Sequence, residues 1–293
     1  PDKAPGPLGA FFLGRQRARG VPFSWLPESP SVAHGAWDNA HMDVLIVTLA
    51  SALAGFVDSI VGGGGLILVP ALFATFPTAP PATMLGSNKS AALWGAAFST
   101  WRYSQHVSLV WRTVLVAAAF TFIGACLGAW TVTQVSPVLL RRALPLVLLA
   151  LLIYTLARKD LGREHAPRWS TRQEMALMSG MGLVVGFYDG FFGPGAGSFF
   201  VFFLVRMLGY DFLHASAGAK LLNTASNSAA LLAFTWTGHV WWHLALPLAV
   251  ANVLGSWLGT RMALRHGSGF VRHVFLVVVG ALILKTGYDG FLR

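Results

Sequence analysis

The sequence predicts an all-α polytopic membrane protein built from two inverted repeats of five apolar segments, with broken or half-length helices at Gly-rich loops. Three observations predict it. Of the 293 residues 55% are hydrophobic and only 11% charged, with a mean hydropathy of +0.62, which is the composition of a chain dissolved largely in lipid. Apolar runs of membrane length recur from Asp43 onward. A shift of 131 positions lays Asp58 on Asp189, Lys89 on Lys220, Gly124 and Gly128 on Gly255 and Gly259, and Arg141 on Arg272.

Taken in order, residues 1–41 are rich in Pro, Gly and Arg and hold no run long enough to span. They read as a disordered N-terminal extension or an expression remnant and stay outside the fold. The first repeat, 42–157, carries apolar segments at 43–61, 66–76, 83–101, 108–133 and 138–157. A basic cytoplasmic connector, 158–173, leads to the second repeat, 174–293, with segments at 174–192, 198–208, 214–236, 241–264 and 270–290. The segments at 66–76 and 198–208 are about half of the roughly 20 residues a helix needs to cross the hydrocarbon core.

Basic residues orient the segments, because cytoplasmic loops accumulate Lys and Arg. Five crossings per repeat gather Arg102, Arg112, Arg158, Lys159, Arg163, Arg168, Arg172, Arg206, Arg261, Arg265 and Arg272 on one face. They leave Arg141, Arg142 and Arg293 on the other. Four crossings per repeat would divide the same residues almost evenly. The odd number turns the second repeat upside down relative to the first and puts both termini on the non-cytoplasmic side, an arrangement frequent in secondary transporters. Lys285, close to the end of its segment, reads as snorkelling to the interface.

The net charge of +10 does not indicate nucleic acid, since the basic residues alternate with apolar spans and form no stripe on a polar face. A single cysteine, Cys126, excludes a disulfide framework and a Cys-based metal cluster. No cofactor or metal is indicated. His239 and His243 stand four apart but without a nearby carboxylate, and beside Trp241 and Trp242 they read as interfacial.

The chemistry concentrates at the breaks. Gly62, Gly63, Gly64 and Gly65 cannot continue a helix well, and their counterparts Gly193, Gly195 and Gly197 flank Pro194. Irregular backbone at membrane depth is tolerated only where protein or a wet cavity satisfies it. A helix starting there points free N–H groups and a positive dipole end at an anion; close interhelical packing of small residues is the other use of such glycines. Lys89 and Lys220 lie about two turns inside apolar segments, where an ionisable side chain faces a cavity or a partner. Each is either an anion-binding cation or the partner of Asp58 or Asp189. Ser87, Asn88 and Ser90 surround the first lysine. Asn223, Thr224, Ser226 and Asn227 follow the second, with Asn223 and Asn227 on one helical face. Asp58 and Asp189, about one turn before the breaks, are candidates for carrying protons; the competing reading has them ionised, held by N–H groups of their own Gly loops or by a lysine.

These residues resemble the TauE/SafE group of membrane proteins, named for exporters of sulfite and related sulfur anions, and look closest to its YfcA-like branch. The likeness runs from residue 43 to about 290. It is carried by Gly62-Gly63-Gly64-Gly65-Leu66-Ile67, Pro70-Ala71-Leu72, Ser87-Asn88-Lys89, Phe192-Gly193-Pro194-Gly195-Ala196-Gly197-Ser198-Phe199 and Lys220-Leu221-Leu222-Asn223-Thr224-Ala225-Ser226-Asn227. The resemblance implies a permease for anions such as sulfite or organosulfonates, usually of the bacterial inner membrane, in which Ser198 joins the substrate-binding set. A passive anion channel would use the same positive cavity, and an intramembrane enzyme would need a nucleophile with a base that the chain does not offer. The partners expected are a small anion, the lipid bilayer and a coupling proton or sodium ion. Gly124/Gly128 and Gly255/Gly259 permit close packing within or between protomers.

Overall fold

The computed structural model describes residues 30–136 and 169–291. The described chain is helical: α1 Pro30–Val61, α2 Gly65–Thr75, α3 Pro81–Ser104, α4 Trp111–Gln134, α5 Thr171–Phe191, α6 Ala196–Phe203 with a π turn at Leu204–Leu208, α7 Phe212–Trp236 and α8 Trp242–Phe291. Contacts divide the chain into Pro1–Asp43 and a bundle of Val44–Arg293. The apolar segment expected at 138–157 and the connector up to 168 lie outside the described residues, as do Arg141, Arg142 and the side chain of Lys285.

The segment boundaries follow local chemistry. α1 begins eleven residues before the expected end of the tail, at a proline, which needs no partner for an N–H it lacks. It ends where Gly62 takes φ +81°, a left-handed value that only glycine adopts without strain. α5 ends likewise, with Gly193 at φ +89°. The short helices of eleven and eight residues follow these two breaks. Ser170 and Gln173 close a capping box at the start of α5. Asp211 caps α7 by accepting from the N–H groups of Leu213 and His214 at 2.7 and 3.0 Å. α8 is interrupted at Gly267 (φ 70°, ψ −167°), between the two segments expected at 241–264 and 270–290.

Polarity is distributed in reverse of a water-soluble bundle. Val184 is 69% and Trp236 93% exposed, while Lys220 is 0% and Lys89 3% exposed. Leu49, Leu53, Ile123, Leu127, Leu246, Val250 and Leu254 also face outward. Met42–Val61 and Trp111–Gln134 are each long and apolar enough to cross a membrane. A fold that hides lysines and presents valine is a membrane protein.

Glycines set how the helices meet. A Cβ on Gly255 would stand 1.9 Å from the Ala52 carbonyl oxygen, and one on Gly124 would stand 2.2 Å from that of Leu183, so in both places backbone touches backbone. Gly259 meets Phe56 and Gly128 meets Phe187 in the same way. Contacts on α1 and α8 therefore advance together, as do those on α4 and α5, and the helices of each pair run parallel. The α1/α8 contact is also stitched by buried polar groups on its small-residue face. The Ser51 hydroxyl donates to the Leu248 carbonyl, Asn252 Nδ2 to the Ser51 carbonyl and the Ser256 hydroxyl to the Gly55 carbonyl, at 2.7, 3.1 and 3.2 Å. Between α3 and α7, Gly86 meets Phe234 and Thr100 bonds Thr224 at 2.9 Å, so these two central helices run antiparallel.

Candidate functional site

The two breaks meet each other. A Cβ on Gly62 would lie 2.3 Å from the Gly197 carbonyl carbon, and one on Gly65 3.2 Å from Cα of Pro194. The Ser198 hydroxyl donates to the Val61 carbonyl at 3.2 Å, which closes the junction from the α6 side. Two helix ends and two helix starts thus converge on one buried point, where glycine is required because any side chain would force the backbones apart.

The charged residues bracket that point, and they pair across the halves of the sequence. Lys89 Nζ on α3 lies 2.6 Å from Asp189 Oδ1 on α5, and Lys220 Nζ on α7 lies 2.8 Å from Asp58 Oδ2 on α1. All four residues are buried. A buried charge is costly unless paired and hydrogen-bonded, and here two cations and two carboxylates balance to zero. The Lys89 ammonium also lies against the second break, 3.1 Å from where a Cβ on Gly193 would be.

Further donors surround the carboxylates unevenly. Asp58 receives the backbone N–H of Gly64 at 3.2 Å on Oδ1 and the Asn223 amide at 3.5 Å on Oδ2. Asp189 receives the hydroxyl of Ser226, which also stands 3.0 Å from the Asn223 carbonyl. One contact path, Lys220, Asp58, Asn223, Ser226, Asp189, Lys89, therefore joins both pairs along a single face of α7. Behind Asp58, the Tyr103 hydroxyl donates to the Ser59 carbonyl at 2.9 Å and that of Ser216 to the Ile60 carbonyl at 2.8 Å, which satisfies the last carbonyls of α1.

Other expected site residues stand apart from the carboxylates. Ser87 accepts the N–H of Trp241 at 3.1 Å and so ties α3 to the start of α8. Asn88 and Asn227 are buried on α3 and α7, and neither bonds to Asp58 or Asp189. Gly64 spends its N–H on Asp58. Sequence reading missed Tyr103, Ser216 and the stripe Asn252, Ser256 and Thr260; the stripe's signal was three small polar residues at four-residue intervals in an apolar run.

A family model described as Sulfite exporter TauE/SafE matches residues 47–286, through both breaks and all four charged residues. The chain belongs to the TauE/SafE family. Its relatives include the probable membrane transporter protein YfcA of Escherichia coli K12, 36% identical over 83% of this chain and 89% of that protein. A probable membrane transporter protein of Haemophilus influenzae is 32% identical over 81% and 91%. Another, ORF9 of a Sinorhizobium species, is 34% identical over 82% and 91%. These relatives are named as transporters and not as enzymes. No solved structure matches the chain. For a TauE/SafE member, the crossed ion pairs are the arrangement of charge on which any account of the site must rest.

Proposed function

We propose that this chain is a secondary transporter of a small anion, namely sulfite, a sulfonate or a related sulfur oxyanion, working by alternating access between two inverted repeats in the bacterial inner membrane. The observation that carries the reading is the crossing of the ion pairs. Each joins a lysine from one half of the sequence to an aspartate from the other at the junction of the broken helices. A site shared in this way changes when one half moves against the other, which is what exposure to each face in turn requires. The parallel pairs α1/α8 and α4/α5 also correspond under the 131-residue shift and support the repeat.

Lys89 and Lys220 supply the charge for the anion. Asn223 and the backbone N–H groups of Gly63, Gly65, Gly195, Gly197 and Ser198 supply neutral donors, and Ser87, Asn88 and Asn227 shape the helix faces around them. An entering anion competes with a carboxylate for each ammonium. Uptake of labelled sulfite into proteoliposomes tests the reading. The wild-type protein is expected to accumulate the anion under an inward proton or sodium gradient, and Lys89→Met and Lys220→Met are expected to lose most of that uptake. Flux that only equilibrates the anion, whatever the gradient, would identify a passive channel instead.

A further inference from the structure

The two aspartates occupy matched positions, yet their surroundings differ in the property that governs protonation. Gly64 N–H and Lys220 Nζ can only donate, at 3.2 and 2.8 Å, and the Asn223 amide adds a third donor to Asp58. Every one of these contacts favours the ionised form: a proton on Asp58 would face two groups that can only donate, and the acceptor in reach, Asn223 Oδ1, meets it only if the amide turns over. Asp189 has Lys89 and the hydroxyl of Ser226. A hydroxyl has one proton and two lone pairs, and Ser226 has two acceptors in reach, Asp189 Oδ2 and the Asn223 carbonyl at 3.0 Å. With Asp189 ionised, Ser226 gives its proton to the carboxylate. With Asp189 protonated, the carboxyl donates to Ser226 Oγ and Ser226 turns its proton to the Asn223 carbonyl. Both states are satisfied without moving a heavy atom.

Among the described residues, Lys89 is the charge bonded to Asp189. Facing Asp189 are Lys89 from α3 and Ser226 from α7, with the Lys220–Asp58 pair next along the contact path. Tyr188, its neighbour on α5, spends its phenol on the Pro194 carbonyl at 2.6 Å. α4 meets α5 beside Asp189 through Ala125 at Gly190, and α6 carries no charged residue. The 131-residue shift places Ala92 and Gly95 opposite Asn223 and Ser226, so α3 offers Asp58 no such hydroxyl.

We infer that Asp189 alone carries the coupling proton, with Ser226 as its two-way hydrogen-bond partner, while Asp58 stays ionised as the fixed counter-charge of Lys220. The inference rests on the transport reading above and makes it specific. A proton on Asp189 releases Lys89, and the freed ammonium takes one negative charge from the substrate. Before loading, the four groups sum to zero; after loading, one proton and one monoanion have been added and the sum is again zero. The substrate is then a monoanion, of the hydrogensulfite or alkylsulfonate kind, and moves with one proton and no net charge.

The test uses purified protein in proteoliposomes with labelled methanesulfonate and labelled sulfite, together with infrared difference spectra of the protonated carboxyl C=O stretch between acid and alkaline pH. Wild-type uptake driven by a pH gradient and unchanged when a potassium diffusion potential is imposed is expected; uptake that rises or falls with that potential overturns the one-proton, one-monoanion balance. Asp189→Asn should abolish both the carboxyl band and the pH-driven uptake, a loss of tenfold or more, while labelled-anion counterflow continues. The charge-neutral double variant Asp58→Asn/Lys220→Met, which leaves no buried charge unpaired, should keep the carboxyl band. A band lost in the double variant but kept in Asp189→Asn, or reduced equally in both, overturns the assignment. Ser226→Ala should slow pH-driven uptake and Ser226→Thr restore it; equal rates in the two remove Ser226 from the relay. If the wild type accumulates neither anion under any gradient, the transport reading fails first, and the carboxyl band still decides between the aspartates.

Discussion

Which lysine belongs to which aspartate can be decided by thermodynamic coupling. Lys220 is fully buried and its ammonium sits 2.8 Å from Asp58. Lys220→Met leaves that carboxylate without its cation, and breaking one side of a buried ion pair costs roughly 3–5 kcal/mol. Asp58 keeps the Gly64 N–H and the Asn223 amide, which holds the expected loss near the lower end, about 3 kcal/mol. Removing the carboxylate as well removes the reason for the cost, so Lys220→Met/Asp58→Asn should recover most of it. The same holds for Lys89→Met with Asp189→Asn. In a double-mutant cycle, read from unfolding in SDS followed by tryptophan fluorescence, those two combinations should each couple by about 2 kcal/mol or more, whereas Lys89→Met with Asp58→Asn, joined only through the contact path on α7, should couple by less than about 1 kcal/mol. Coupling of Lys89 to Asp58 as large as that to Asp189 would refute the crossed pairing.

Further predictions follow from the packing and the caps. Gly255→Ala drives a methyl to 1.9 Å from a backbone oxygen and should cost about 3 kcal/mol in the same unfolding assay. Gly180→Ala, with nothing within 4 Å of the added carbon, should gain roughly 0.5–1 kcal/mol from helix propensity. At Asp211, outside the membrane segments, burial pushes the carboxyl up, but the His214 N–H, the Ser268 hydroxyl and the His214 imidazole outweigh it and hold it below the usual carboxylate range. A carboxyl lowered in the folded state stabilises above its unfolded value and loses that contribution as pH falls through the folded one. The stability gap between wild type and Asp211→Ala, about 1 kcal/mol near neutrality, should therefore close as the pH is lowered below about 4. A cysteine placed beside Gly162 should resist an impermeant thiol reagent applied outside sealed cells; labelling there would reverse the proposed orientation.

The helices were legible in the sequence because lipid imposes a strong length rule and because the punctuation is glycine. Gly62, Gly193 and Gly267 stand at boundaries the apolar runs already marked. The four charged residues were legible one by one, since a lysine or aspartate deep in an apolar run always demands a partner. Their pairing was not. Every within-half and between-half combination respects the same 131-residue shift, so only the direction and register of the helices choose among them. Tyr103, Ser216 and Asn252 escaped notice for a related reason: each satisfies a backbone carbonyl on another helix, and a backbone carbonyl leaves no mark in a sequence. The π turn at Leu204–Leu208 likewise has no local residue signal; it closes with the N–H of Gly209 reaching back five residues to the Leu204 carbonyl, where the Tyr210 N–H also arrives at 3.1 Å.

The parallel contact of α1 with α8 also sets a timetable for biosynthesis. The residues of α8 that close on Gly55 and Phe56, Asn252 and Gly259, are made about 200 positions after Val61, which at ~5–20 residues per second is ~10–40 s of translation. For about the first 160 of those positions Asp58 has neither Lys220 nor Asn223, and throughout the interval the small-residue face of α1 lacks α8. The first helix must wait in or beside the insertion machinery with a carboxylate that the bilayer resists, and variants that slow its pairing should be cleared by membrane quality control before any of their transport can be measured.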